Sequence, residues 1–150
     1  MVEPEIPPNT GNIARTCAAT RTRLHLVEPL GFSLSDRYLK RAGVDYWGLV
    51  DLTIHSNWED LVQSITGAGP FHFFTSHGGT PYHEAFYGPD DVLVFGRESR
   101  GLPAKILEAN QDRLRVIPMT GGVRSLNLSN AVAISLYEAL RQQTFQFPSV

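Results

Sequence analysis

At 150 residues, with 42% hydrophobic side chains, the chain has the size of one domain and enough apolar content to bury a core, which excludes a disordered polypeptide. Its formal net charge of −2 gives no broad basic field of the kind that announces nucleic acid, although a local patch can sit inside a neutral total. The single cysteine, Cys17, cannot form an intramolecular disulfide, no apolar run reaches membrane-spanning length and no signal pattern opens the chain, so a cytoplasmic protein is expected.

The N-terminal run Glu3-Pro4-Glu5-Ile6-Pro7-Pro8 predicts an extended, stiff loop, because its prolines oppose a regular helix. Asn9 or Thr10 can then cap a helix over 12–20, with Ile13 and Cys17 one turn apart on its buried side and Arg15 on a different face. Residues 24–27 read as a short strand ended by Pro29 and Gly31. Ser35 starts a short helix that puts Arg37, Lys40 and Arg41 on one face, either solvated or in contact with phosphates. An apolar stretch over 48–54 has strand character, and Ser56 or Asn57 caps a helix over 58–65 that Gly67 and Gly69 close. FHFFT at 71–75 and DVLVF at 91–95 are the next strands, a helix over 104–110 has Pro103 in its first turn, and 114–117 is the last strand. Helices alternating with short apolar strands predict an α/β fold: a single-domain parallel sheet with helices on both faces.

The stretch from 117 to 140, IPMTGGVRSLNLSNAVAISLYEAL, organises the rest. It leaves a strand, turns through Pro118, Gly121 and Gly122, and enters a helix through Ser125, Asn127, Ser129 and Asn130, more polar side chains than one cap needs. The helix is apolar nearly all round, which predicts cover on several sides. A ligand pocket and an over-capped core helix both account for this stretch. Glycine-bearing loops also follow Thr75 and Phe95, and ligands of open α/β sheets bind at the carboxyl ends of the strands. Other chemistries fall away. GRESRG at 96–101 lacks the Lys-Ser/Thr pair of a P-loop, Ser99 is one position late for a nucleophile elbow, and no GxGxxG follows a strand. His25, His55, His72, His77 and His83 have neither cysteine partners nor HExxH spacing, so no metal is expected.

Three ordered segments carry a resemblance: Asn9-Thr10-Gly11-Asn12 with Arg15; Phe95-Gly96-x-Glu98-x-x-Gly101-Leu102-Pro103; and Ile117-Pro118-Met119 with Ser125-Leu126-Asn127-Leu128-Ser129-Asn130-Ala131. Together they resemble the motifs of the SPOUT RNA ribose methyltransferases, closest to the minimal, single-domain TrmL-like (YibK-like) branch that methylates the wobble nucleotide of tRNA. The Glu-Pro-Glu opening and Arg41-Ala42-Gly43-x-Asp45-Tyr46 add to the likeness, which spans nearly the whole chain. Such proteins begin with a strand of several residues where this chain has only Met1 and Val2, so the first strand is expected to be truncated.

The resemblance implies a C-terminal trefoil knot, the SPOUT or α/β-knot fold, and a homodimer. It implies S-adenosyl-L-methionine as methyl donor, S-adenosyl-L-homocysteine as product and no metal. The pocket would be lined by Thr75, Gly96, Ile117 and Ser125, with Met119 and Leu126 nearby. The implied activity is 2′-O-methylation of a wobble cytidine or uridine in the tRNA anticodon stem-loop. Arg15 is then central; since arginine stays protonated, it is expected to orient the target phosphate or stabilise the developing alkoxide, with Asn9, Glu98 and Asn130 in support. RNA contacts fall to Arg37, Lys40, Arg41 and Arg124, and to Arg21, Arg23, Arg97 and Arg100. A two-fold interface is expected from the 12–20 helix and the final helix, so that Arg15 could act at the partner's pocket. A ribosomal RNA methyltransferase and a non-catalytic nucleotide-binding α/β module are the competing readings.

Overall fold

The computed structural model describes residues 1–35 and 46–147. The chain divides into two compact units, Met1–Thr66 forming the body of the first and Gly67–Gln146 the second. In the first, α1 (Pro7–Thr20) leads to β1 (Leu24–Val27), and a 3-10 turn at Trp47–Leu49 precedes β2 (Leu52–His55) and α2 (Trp58–Ser64). β1 and β2 pair in parallel, Leu24 beside Leu52 through Val27 beside His55. Val2 adds a parallel bridge to Val27, whose amide donates to Met1 O at 2.9 Å. Val2, Ile13, Ala14, Leu26 and Val27 are each at most 2% exposed and form the core. Burial of an aliphatic side chain of this size contributes about 1.5–3 kcal/mol.

α1 starts earlier than expected and absorbs part of the proline run. Pro7 and Pro8 occupy its first turn, where a missing N–H costs no intrahelical bond and φ is already helical. Asn9 and Thr10 therefore lie inside the helix, buried, and no side chain caps it; the cap position is Ile6, in extended conformation. At the far end Arg21 is left-handed (φ 54°) and Thr22 N donates to Cys17 O at 2.9 Å. Ile13 and Cys17 are buried and Arg15 exposed, as their spacing predicts. The 48–54 stretch is strand only from Leu52; before that the 3-10 turn takes over, Leu49 N donating to Tyr46 O at 2.9 Å. Of the two candidate caps of α2, Asn57 acts, its Oδ1 accepting from Asp60 N at 2.8 Å. The expected helix after Ser35, with Arg37, Lys40 and Arg41, lies outside the described residues.

The second unit contains β3 (Phe71–Thr75), β4 (Thr80–Pro81), β5 (Val92–Val94), α3 (Ala104–Ala109), β6 (Leu114–Val116) and α4 (Leu128–Gln142). Its four strands are parallel in the order β4-β6-β3-β5, so β6, the last in sequence, is an interior strand. β4 was not predicted; its two residues lie at the sheet edge, where Pro81 withholds no ladder donor. Pro103 precedes α3 as its N-cap rather than sitting in its first turn. Phe74 and Phe95 stack at 4.5 Å in a core with Phe73, Tyr87 and Val94. A polar bridge crosses the sheet: Arg115 Nε donates to His72 Nδ1 at 3.1 Å, and His72 Nε2 lies 2.7 Å from Asp91 Oδ2.

α4 corrects an expectation. It is not covered all round but buries one stripe, Val132, Ser135, Leu136, Ala139 and Leu140, at helical spacing, while Ile134 and Tyr137 are 38% and 47% exposed. Among the described residues no helix is long and apolar enough to cross a membrane.

Candidate active site

The second unit brings the ends of β3 and β6 to one cavity of about 550 Å³, lined by Ser76 and His77 after β3 and by Val116 through Met119 and Gly121 through Arg124 at and after β6. This volume lies within the range of small-molecule sites. Its wall is mixed: Val116, Ile117, Met119 and Val123 are apolar, Gly121 and Gly122 leave backbone uncovered, and His77 and Arg124 carry the polar tips. The β3 loop is pinned locally, since Thr75 Oγ1 accepts from His77 N at 3.2 Å.

The loop after β5 is closed by two backbone bonds, Arg97 N to Gly101 O at 3.0 Å and Gly101 N to Arg97 O at 2.9 Å. Gly96 is buried at its start, and a Cβ there would fall on backbone atoms of Gly101 and Leu102. Only glycine lets the turn close this tightly. Glu98 is half-buried within the turn.

At the start of α4 one residue does the capping. Asn127 Oδ1 accepts from Ser129 N at 2.9 Å and Asn130 N at 3.3 Å, and Ser129 Oγ donates to it at 2.6 Å. Ser125 and the side chain of Asn130 stay exposed.

Of the six expected cofactor residues, Ile117 and Met119 line the cavity; Thr75 adjoins Ser76 and Ser125 adjoins Arg124, while Gly96 and Leu126 are not in its wall. Arg124, expected at the RNA, is in the wall. The sequence reading missed Ser76, His77, Val116 and Val123. Ser76 and His77 directly follow a strand, the signal that had singled out Thr75.

Arg15 and Asn9 belong to the first unit. Asn9 is 6% exposed. Arg15 is exposed on α1, its Nη2 donating to the Tyr46 hydroxyl at 3.2 Å and its guanidinium carbon 4.7 Å from the centre of that ring. Cys17 is buried on another side of α1, and burial raises its thiol to about 11. Among the described residues, no group of three or more His, Cys, Asp or Glu could hold a metal ion.

A parallel α/β unit with a glycine-flexed cavity at the carboxyl ends of its strands defines an α/β protein with a candidate small-molecule site at the usual edge. Comparison with known proteins makes the class specific. Residues 1–137 match the SpoU rRNA Methylase family, and the chain belongs to that family. A Burkholderia ambifaria protein named tRNA (cytidine(34)-2′-O)-methyltransferase is 48% identical over 149 residues, covering 97% of this chain and 95% of the relative. A solved structure described as giving insights into 2-OH methylation of C/U34 on tRNA superposes with a TM-score of 0.90 at 46% identity, covering 95% of this chain and 93% of that one. An AdoMet-bound rRNA methyltransferase from Sinorhizobium meliloti superposes with a TM-score of 0.83 at 27% identity, covering 93% of this chain but 54% of that one.

Proposed function

We propose that this chain is an S-adenosylmethionine-dependent tRNA 2′-O-methyltransferase acting on the ribose of a wobble cytidine or uridine. The observation that carries the reading is end-to-end likeness at nearly half identity to a protein named for that activity, with 95% of the relative covered. The ribosomal RNA enzyme is more distant, at 27% identity, and little over half of its length is matched.

The cavity fits the cofactor by its chemistry: apolar side chains for a nucleoside and uncovered glycine backbone for its hydrogen-bonding edge. Ile117, Met119 and the neighbouring backbone would hold it, with Thr75, Gly96, Ser125 and Leu126 shaping the loops. When bound, it supplies a methyl group already activated on sulfur and leaves as S-adenosyl-L-homocysteine, so no metal is needed. The protein's work is then mainly positioning of the ribose hydroxyl. Arg15, a permanent cation, is assigned to the target phosphate or the developing 2′-oxyanion, and Asn9, Glu98 and Asn130 to supporting it and the loops. Arg37, Lys40, Arg41 and Arg124 are assigned to the anticodon stem-loop.

We read 1–150 as one methyltransferase domain with the family's C-terminal knot; the interior place of β6 supports this. The exposed Ile134 and Tyr137 of α4 support a homodimer, and a tRNA substrate supports a cytoplasmic enzyme. The test is nucleoside mass spectrometry of tRNA from cells with and without the gene. One pyrimidine 2′-O-methyl mark should disappear on deletion. Unchanged tRNA methylation with a lost ribosomal RNA mark would refute the reading.

A further inference from the structure

Three surface arginines here face carboxylates: Arg23 lies 3.3 Å from Asp51, Arg113 3.9 Å from Asp112 and Arg141 2.8 Å from Glu138. Among the described residues, Arg15 is held by an aromatic ring instead. The Tyr46 hydroxyl accepts from Nη2 at 3.2 Å while the guanidinium carbon lies 4.7 Å from the centre of the same ring. Two restraints therefore act on one planar cation, and neither carries negative charge. A carboxylate would also orient the guanidinium, but it would neutralise it and compete with any incoming phosphate. A tyrosine orients the plane and leaves the full charge available. A guanidinium has five N–H donors, and the bond to Tyr46 uses one. Tyr46 is itself fixed, half-buried at the head of the Trp47–Leu49 turn, its carbonyl accepting from Leu49 N at 2.9 Å.

We propose that Tyr46 is the positioning residue for Arg15, setting the guanidinium plane so that its remaining donors meet the phosphate or 2′-oxyanion of the target nucleotide. The inference rests on the assignment of Arg15 made above. It predicts a graded series. Tyr46→Phe keeps the ring and loses the hydroxyl; Tyr46→Leu loses both.

The test is single-turnover methyl transfer to tRNA at saturating cofactor, with calorimetry of S-adenosylmethionine binding and thermal unfolding run on the same samples. Tyr46→Phe should slow transfer about 3-fold and Tyr46→Leu about 10-fold or more, with cofactor affinity unchanged and Tyr46→Phe melting as wild type. In the Arg15→Ala background, Tyr46→Leu should alter the residual rate less than about 2-fold, because its effect passes through the missing cation. Wild-type rates from both Tyr46 variants beside a collapsed Arg15→Ala enzyme would overturn the inference alone. So would a Tyr46→Leu loss that repeats in full without Arg15. A wild-type rate from Arg15→Ala would overturn the Arg15 assignment and the inference with it. Absence of any 2′-O-methyl product from the wild-type protein would be the separate failure of the functional reading.

Discussion

Gly96→Ala tests the second unit at its tightest point. The added Cβ would fall on the carbonyl carbon and oxygen of Gly101 and the amide nitrogen of Leu102. These are backbone atoms and cannot rotate aside as a side-chain end would, so the turn must open. Opening strains or breaks the two Arg97–Gly101 bonds, each contributing about 0.5–1.5 kcal/mol, on top of an overpacking cost of about 1–3 kcal/mol. Gly101 is exposed, and amides released there can meet water, which favours the lower part of the combined range, about 2–3 kcal/mol. For a chain of this length that lowers Tm by about 5–10 °C. Gly101→Ala is the internal control. Its φ of 70° disfavours a side chain, but nothing lies within 4 Å of the new Cβ, so only the left-handed penalty of about 1–2 kcal/mol applies. Urea and thermal unfolding should rank Gly96→Ala below Gly101→Ala, and calorimetry should show weakened S-adenosylmethionine binding in the former. A Gly96→Ala protein with wild-type Tm and cofactor affinity would refute the reasoning.

Three further outcomes are expected. Burial, with Arg115 alongside, holds the His72 imidazole below its ordinary 6.5 despite the bond to Asp91, so the unfolded chain protonates first; stability should be full above about pH 6.5 and fall as pH drops toward the lowered folded value, and His72→Gln should flatten that part of a Tm–pH series. Cys17, 4% exposed with its thiol raised to about 11, should resist an aromatic disulfide reagent at about pH 8 in the native protein and react at once in denaturant; fast native labelling would contradict its placement. Replacing Arg37, Lys40 and Arg41 by alanine should flatten the salt dependence of tRNA binding by about 0.7 in log–log slope for each phosphate these side chains neutralise, leaving cofactor affinity unchanged; an unaltered slope would remove those residues from the interface.

The regular elements were legible where pattern and punctuation agreed. β1 and β3 occur with the expected bounds, because a run of apolar and β-prone residues was closed by proline or glycine on both occasions. The start of α1 was missed because a proline's effect depends on position: inside a helix it breaks the ladder, while in the first turn the donor it lacks has no partner to lose. Two-residue β4 has no periodicity of its own and exists only because β6 offers it an edge. The all-round apolar composition of α4 does not say which face the chain itself covers; only the fold separates the buried Val132–Leu136–Ala139 stripe from exposed Ile134 and Tyr137.

The capping at the start of α4 was legible by the same logic of supply against need. The start of α4 offers Ser125, Asn127, Ser129 and Asn130, and Asn127 alone accepts the amides of Ser129 and Asn130 while the Ser129 hydroxyl fixes its orientation. An over-capped helix would consume the other polar side chains locally. Ser125 instead stands exposed beside the cavity-lining Arg124, and Asn130 is exposed as well. That surplus leaves Ser125 and Asn130 available to the proposed cofactor loop. The pairing of Arg15 with Tyr46 was beyond such counting, since the two lie 31 positions apart and neither belongs to a pattern that names the other. An exposed arginine on a short helix reads as solvated until the ring that orients it is seen.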